Sequence, residues 1–152
     1  MAGDLRFPCS LGRSGRSHLK REGDGATPVG AWLLRRVFYR AGRLLPPRSL
    51  VTPRPIRRDD GWCEAVGDRN YNRLVRMPYA GSHETMARAD GLYDIVVELS
   101  HNVRPRVQGF GSAVFFHLRR DDGGPTAGCI AVSLRDMLLI LARCGRTTRI
   151  GV

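Results

Sequence analysis

Residues 111–132 read GSAVFFHLRRDDGGPTAGCIAV and carry both the clearest strand signal and the most informative polar residues of the chain. The first part, 111–118, contains β-branched and aromatic side chains and is the best predicted strand. The charged segment 119–125 contains Gly-Gly-Pro, which is typical of a turn. A short apolar run over 130–132 follows the Gly-Cys pair.

The segment after this stretch predicts a helix. Ser133 is a suitable N-cap for a helix over 134–143, because its hydroxyl can accept a hydrogen bond from an unpaired amide. Three leucines within that range fall at helical spacing. Gly145 ends the helix, and 146–152 is predicted to be a closing strand.

The segments before it are mostly β or irregular. The residues AWLLRRVFY over 31–39 suit a strand or a short helix by periodicity, and the neighbouring glycine and proline favour the strand. We predict loops over 10–30, an irregular proline-rich connection over 41–61, and loop plus a short strand over 70–77. A short helix over 82–89 and a strand over 92–99 follow. We therefore predict one domain over residues 1–152, mainly β, with one or two short helices.

Charge favours an anionic partner. The formal net charge is +11, and 24 of the 25 basic residues are arginine, with Lys20 the only lysine. The basic residues are spread along the whole chain, whereas nucleic-acid modules more often concentrate them on one face. A solvated basic surface explains the charge equally well.

The cysteines and the start of the chain bear on metal binding, disulfide bonding and cellular location. No Cys-x-x-Cys pair and no paired histidine spacing is present, so we expect no metal site. Cys9 and Cys63 are candidates for a disulfide, and two unpaired thiols fit as well. Residues 1–10 contain no signal-peptide-like apolar run, and no 18-residue apolar stretch occurs. This fits a cytosolic protein, another export route or an incomplete start.

His117 is the first candidate catalytic residue. On the strand 111–118 it shares a face with Ala113 and Phe115 and stands at the strand end. A histidine partly removed from water and held there can act as a general base near neutral pH. A histidine that is merely part of the core explains the position as well.

Cys129 is the second candidate. It follows Gly128 at a tight turn, where consecutive backbone amides can face a developing oxyanion. A neighbouring imidazole would activate the thiol. The loop over 119–125 is predicted to fold back like a hairpin and bring Cys129 to His117. The alternative is a buried structural cysteine.

The motifs together resemble the L,D-transpeptidase catalytic (YkuD-like) family. KREGDGATPVG at 20–30 resembles its Thr-Pro-x-Gly segment, and GSAVFFH at 111–117 resembles its strand ending in the catalytic histidine. TAGC at 126–129 resembles its nucleophile motif. DGWC at 60–63 and NYN at 70–72 look like a bacterial branch. The resemblance runs from about residue 10 to the end and keeps the order of motifs.

The resemblance implies a β-sandwich or barrel and a peptidoglycan L,D-transpeptidase in the periplasm or cell envelope, without cofactor. Cys129 would attack a tetrapeptide stem, release D-Ala as a thioester forms, and pass the acyl group to an amine in a 3–3 cross-link. His117 would be the base, oriented by the carbonyl of Leu118, and the amides of Gly128 and Cys129 would serve the oxyanion. The implied substrate-binding residues are Ser112, Arg119, Arg120 and Thr126.

Three features depart from the family pattern. Ala127 replaces the usual histidine before Gly-Cys, the loop between His117 and Cys129 is short, and the start of the chain is abbreviated. The expected partner is the peptidoglycan stem peptide rather than nucleic acid, with no transmembrane segment. The alternatives are an L,D-carboxypeptidase acting on the same bond, or a catalytically silent basic module that binds cell wall or nucleic acid.

Overall fold

The structure, a computed structural model, describes residues 5–152 and is mainly β, as the sequence predicts. The strands β1 to β11 are, in chain order, Arg16–Ser17, Thr27–Pro28, Ala31–Tyr39, Pro53–Pro55, Asp60–Cys63, Arg73–Arg76, His83–Thr85, Ile95–Leu99, Phe115–Leu118, Ile130–Val132 and Arg149–Gly151. Among the described residues there is one helix, α1 at Leu134–Leu141, between β10 and β11.

A six-stranded sheet forms the centre of the molecule. Its strand order is β10-β9-β8-β3-β11, with β4 paired to β3. The nine-residue β3 coincides with the strand predicted over 31–39 and pairs antiparallel with both β8 and β11. β8 pairs antiparallel with β9, whereas β9 and β10 run parallel.

The central sheet is covered on both faces, which gives a sandwich-like arrangement. Phe116 packs in a cluster with Met137 of α1 on one face. The neighbouring Phe115 points to the other face and packs with Trp62 from the three-stranded sheet β6-β5-β7. Because successive strand residues point to opposite faces, this short strand contributes to both cores. Burial of each such aromatic side chain stabilises the fold by roughly 1.5–3 kcal/mol.

The predicted helix is confirmed, together with its N-cap. The Ser133 hydroxyl accepts a hydrogen bond from the Asp136 amide at 3.1 Å. The helix ends at Leu141, two residues earlier than predicted, and the chain then turns into β11.

The helix predicted over 82–89 is wrong. Residues 83–85 instead form β7, which pairs antiparallel with β5 so that His83 lies opposite Cys63. Pairing with a strand twenty residues away overrides the weak local helix preference, since a strand is stabilised by the neighbours it packs against. Met86 is then fully buried beside that sheet.

Several predicted boundaries also change, because β8 begins at Ile95, β11 spans Arg149–Gly151, and the connection predicted over 41–61 contains β4. The strand predicted over 111–118 begins only at 115, because Ala113 has a left-handed backbone with φ of 49°. The loop predicted over 10–30 contains the short parallel pair β1 and β2.

Asn72 links the three-stranded sheet to the irregular segment that contains Ala113. Its backbone is left-handed, with φ of 54°, and its side chain is buried. The side-chain oxygen accepts from Trp62 Nε1 at 2.9 Å and from the Ala113 amide at 3.1 Å, and Nδ2 donates to the Asn102 carbonyl at 2.9 Å. One amide side chain therefore satisfies three buried or partly buried groups.

We expect Asn72→Ala to lower the free energy of unfolding by about 3 kcal/mol, because two buried N–H donors lose their acceptor. Urea unfolding followed by tryptophan fluorescence measures the change. Asn70→Ala is the control, since Asn70 is half-buried and its side chain donates one hydrogen bond to Tyr79. A loss of stability no larger than that of the control would contradict this account of Asn72.

Candidate active site

His117 lies on β9, Cys129 immediately precedes the neighbouring parallel strand β10, and the two side chains face the same side. Ala131 of β10 lies opposite His117 of β9. Cys129 and Phe115 each come two residues before this pair, so they lie beside each other, and the side chains of all four residues share a face of the sheet. Both candidate side chains line one cavity of about 330 Å³.

The predicted hairpin-like turn between them is wrong. A hairpin joins antiparallel strands, whereas β9 and β10 are parallel, so residues 119–129 carry the chain back to the start of the neighbouring strand. The Arg119 amide donates to the Val132 carbonyl at 2.8 Å and so continues the parallel pairing beyond the end of β9. The two candidate residues nevertheless meet at the same cavity.

The imidazole of His117 is held in one orientation. The residue is 5% exposed, its Nδ1 lies 2.8 Å from the Leu118 carbonyl oxygen, and the Tyr93 ring packs edge-on at 5.3 Å. A carbonyl can only accept, so Nδ1 carries the proton and Nε2 keeps its lone pair. Burial lowers the pKa of His117 to about 4, and the Leu118 hydrogen bond opposes that shift. The ring is therefore neutral at neutral pH.

The thiol of Cys129 is also neutral. Its Sγ donates to the Ala113 carbonyl at 3.2 Å and lies 3.4 Å from the Phe115 amide, which donates to it. Burial raises the pKa of Cys129 to about 12, with a further contribution from the Glu84 carboxylate. Within residues 5–152 the thiol hydrogen-bonds to these two backbone groups and not to the imidazole.

The turn before Cys129 is held by two threonines. The Thr126 hydroxyl accepts from the Gly128 amide at 3.1 Å and donates to the Cys129 carbonyl at 2.7 Å. Thr27 Oγ1 lies 3.3 Å from the same carbonyl. Gly128 has a φ of +136°, and a Cβ there would lie 2.9 Å from the Ala26 carbonyl oxygen, so this position requires glycine. Both Thr126 and the Gly128 amide are engaged within the turn.

The other predicted substrate-binding residues border the same cavity. Arg119 and Arg120 are exposed at its rim, and Arg120 pairs with Asp122 at 3.2 Å. The Ser112 hydroxyl oxygen is buried and has no hydrogen-bond partner among the described residues. The structure thus brings all the predicted site residues except Leu118 to the cavity lining, and Leu118 contacts the imidazole from behind.

Sequence reasoning missed several charged or polar side chains of this cavity, among them Lys20, Glu84, Arg88 and Tyr93. The Tyr93 hydroxyl donates to the Glu84 carboxylate at 2.6 Å, and Arg88 pairs with the same carboxylate at 3.1 Å. Glu84 was not predicted as a site residue because residues 82–89 were predicted to form a helix instead of the strand β7. For Lys20 the available signal was its status as the only lysine.

The remaining cysteines and possible metal ligands of residues 5–152 form neither a disulfide nor a metal site. All four cysteines are unpaired, with Cys9 exposed and Cys63 buried, so the candidate disulfide between those two is absent. Within the described part of the chain, no group of three His, Cys, Asp or Glu side chains is arranged to hold a metal ion. The eight-residue α1 is also far shorter than the roughly 20 residues of a membrane-spanning helix.

The neutral imidazole predicts a pH dependence of stability. The folded-state pKa of about 4 lies below the ordinary value of 6.5, so the unfolded state binds an extra proton between these values. As far as His117 is concerned, the free energy of unfolding therefore has its full value above pH 6.5. It falls as the pH is lowered towards 4, by up to about 3 kcal/mol from this group.

Urea unfolding at several pH values, compared with that of His117→Gln, isolates this contribution from other titrating groups. The variant is expected to show a shallower loss of stability on acidification. Parallel curves for the two proteins would show that His117 is not buried as a neutral ring.

The comparison with protein families confirms the resemblance seen in the sequence. The family model of the L,D-transpeptidase catalytic domain, YkuD, matches residues 3–152, which is essentially the whole chain. No curated protein and no solved structure matches the chain significantly. The family is related to peptidoglycan and is generally associated with the cell envelope. The chain therefore belongs to the L,D-transpeptidase catalytic domain family.

Proposed function

We propose that this chain is a single catalytic domain that acts on peptidoglycan stem peptides in the periplasm or cell envelope, with Cys129 as nucleophile and His117 as its base. One observation carries the proposal. The thiol and the imidazole face one cavity, and the Leu118 carbonyl at 2.8 Å from Nδ1 leaves Nε2 free to accept a proton. A neutral base beside a protonated thiol is the pairing that this chemistry starts from.

The first half-reaction forms a thioester. Cys129 Sγ attacks the carbonyl at the L-centre of diaminopimelate in a tetrapeptide stem while its proton passes to His117 Nε2. The bond to the terminal D-alanine then breaks, and the imidazolium returns the proton to the leaving amine. The thiol must first leave the Ala113 carbonyl and turn towards the ring, because 3.2 Å separates Sγ from that oxygen in the resting site.

The second half-reaction releases the enzyme. The amine of a second stem attacks the thioester carbonyl, His117 accepts its proton, and the thiolate leaves and is protonated again. The product is a 3–3 cross-link. Water in place of the amine yields a tripeptide instead, which is L,D-carboxypeptidase activity.

Backbone amides supply the negative-charge stabilisation in this scheme. The Cys129 amide makes no hydrogen bond among residues 5–152 and is the first donor available to the oxyanion. The Gly128 amide becomes available when the Thr126 hydroxyl, now at 3.1 Å, rotates away. Arg119 and Arg120 at the rim, and the unpartnered Ser112 hydroxyl, are then the side chains suited to hold substrate carboxylates and carbonyls.

Incubation with disaccharide-tetrapeptides, followed by chromatography and mass spectrometry, tests this function. Transpeptidation predicts 3–3 linked dimers, whereas hydrolysis predicts tripeptides alone. A carbapenem is expected to acylate the folded protein once, at Cys129. No product and no adduct, together with binding to DNA that weakens steeply with salt, would favour the silent basic binding module.

A further inference from the structure

The only lysine of the chain is buried at the active-site cavity. Lys20 is 8% exposed, and its ammonium donates to the Asp24 carboxylate and, at 2.9 Å, to the Arg21 carbonyl. An ammonium has three N–H donors, so one remains without a protein partner among the described residues. Lys20 lines the same cavity as Cys129.

Two glycines leave the space that the lysine side chain occupies. A Cβ at Gly111 would lie 3.1 Å from both Cγ and Cε of Lys20, and one at Gly128 would lie 3.5 Å from its Nζ. The ammonium therefore sits against the residue that immediately precedes Cys129. A planar guanidinium is bulkier, which gives a reason for lysine at this position in a chain whose other 24 basic residues are arginine.

The same two backbone segments also hold the thiol. Gly111 lies two residues before Ala113, whose carbonyl accepts from Cys129 Sγ at 3.2 Å. Gly128 is the direct neighbour of Cys129. The ammonium and the sulfur are thus bracketed by the same two pieces of chain, and both residues are buried, which strengthens charge interactions between them.

Other charged and titratable groups also surround the thiol. Glu84 and Arg88 form an ion pair at 3.1 Å, but the Glu84 carboxylate raises the pKa of the thiol more than Arg88 lowers it, so this pair on balance opposes the thiolate. Tyr93 is a neutral donor to Glu84, and His117 is neutral at neutral pH. The rest of the cavity lining carries Lys20 together with Arg13, Glu22 and Glu64, and the exposed Arg119 and Arg120 at the rim. The counter-ion of Lys20, Asp24, accepts a hydrogen bond from the Ala26 amide at 2.9 Å.

We propose that Lys20 is a positioning residue of the site, whose fixed positive charge stabilises the Cys129 thiolate as it forms, with Asp24 holding the ammonium in place. The inference rests on the proposed role of Cys129 as nucleophile. It predicts that a neutral side chain at position 20 makes the thiolate harder to form, and that a neutral side chain at position 24 makes it easier.

The test is the rate of alkylation of each cysteine by iodoacetamide as a function of pH, measured by peptide mass mapping. Lys20→Met is expected to slow labelling of Cys129 about tenfold and to displace its pH profile upward by about one unit. Asp24→Asn, which keeps the lysine and removes its counter-charge, is expected to label Cys129 faster than the wild type. Cys144, buried beneath α1 and outside the cavity, is the internal reference for labelling through unfolding.

The opposite signs of the two variants separate charge from structure. A merely structural role for the ion pair would accelerate labelling of Cys129 and Cys144 together in both variants. Unchanged Cys129 rates in Lys20→Met, or slower labelling in Asp24→Asn, would overturn the proposal. If Lys20→Met does not fold, Asp24→Asn alone decides by the direction of its change. The readout needs no peptidoglycan, so absence of transpeptidation with an intact labelling pattern would refute the proposed reaction and not the role of Lys20.

Discussion

Cys129→Ala is expected to abolish release of D-alanine from tetrapeptide stems, with a rate at least about 10⁴-fold below that of the wild type. Every step of the proposed reaction passes through a bond to this sulfur, so no other side chain can substitute for it. D-alanine is quantified in a coupled oxidase assay over several hours. The variant loses the buried sulfur and its two hydrogen bonds, so some stability is lost, and thermal unfolding checks that the protein remains folded at the assay temperature.

Cys144→Ala is the matched control for this prediction. Cys144 is also buried, but it packs in the cluster beneath α1, away from the cavity. We expect its activity to remain within about twofold, although some stability is lost with the sulfur. Equal loss of activity in both variants would indicate damage to the fold, and full activity of Cys129→Ala would exclude Cys129 as nucleophile.

His117→Gln is expected to lower the rate of thioester formation about 10³-fold, equivalent to about 4 kcal/mol of barrier. Glutamine is close to histidine in size and is polar, but it has no basic nitrogen to take the thiol proton. Because the pKa of Cys129 is about 12, the residual rate should rise about tenfold for each pH unit in the alkaline range, as hydroxide replaces the base. Single-turnover kinetics across pH measure both effects.

His83→Gln is a close control, because His83 Nδ1 also lies 2.8 Å from a backbone carbonyl, that of Gly81, but the ring lies outside the cavity lining. We expect less than about a threefold change in its rate. If His83→Gln and His117→Gln were equally impaired, the loss would be structural. If His117→Gln kept the wild-type rate and pH profile, another group would have to be the base.

The sequence predicted the elements whose stability comes from local patterns. The capped helix was found because Ser133 and the helical spacing of the leucines act within a few residues, and β3 was found because nine apolar and arginine residues have clear boundaries. The helix over 82–89 failed because those residues are ordered by pairing with β5, which local propensity does not report. The shortened β9 depends on Ala113, whose left-handed backbone is held by Asn72 from forty residues away.

The site was predicted in part for the same reason. Strand alternation placed His117 at the end of an apolar strand, and the contact of its ring with Leu118 is local. Lys20, Thr27 and Glu84 reach the site from distant parts of the chain, and no spacing within the sequence relates them to Cys129. Their positions at the site depend on the tertiary structure and cannot be predicted from local sequence patterns.

Rapid-quench mass spectrometry of the wild-type protein mixed with tetrapeptide substrate tests the central claim most directly. The account predicts a transient mass increase equal to the substrate less one alanine, mapped to the peptide that contains Cys129 and released by hydroxylamine. Turnover without any such acyl-protein species, or an acyl group mapped to Cys9, Cys63 or Cys144, would contradict it.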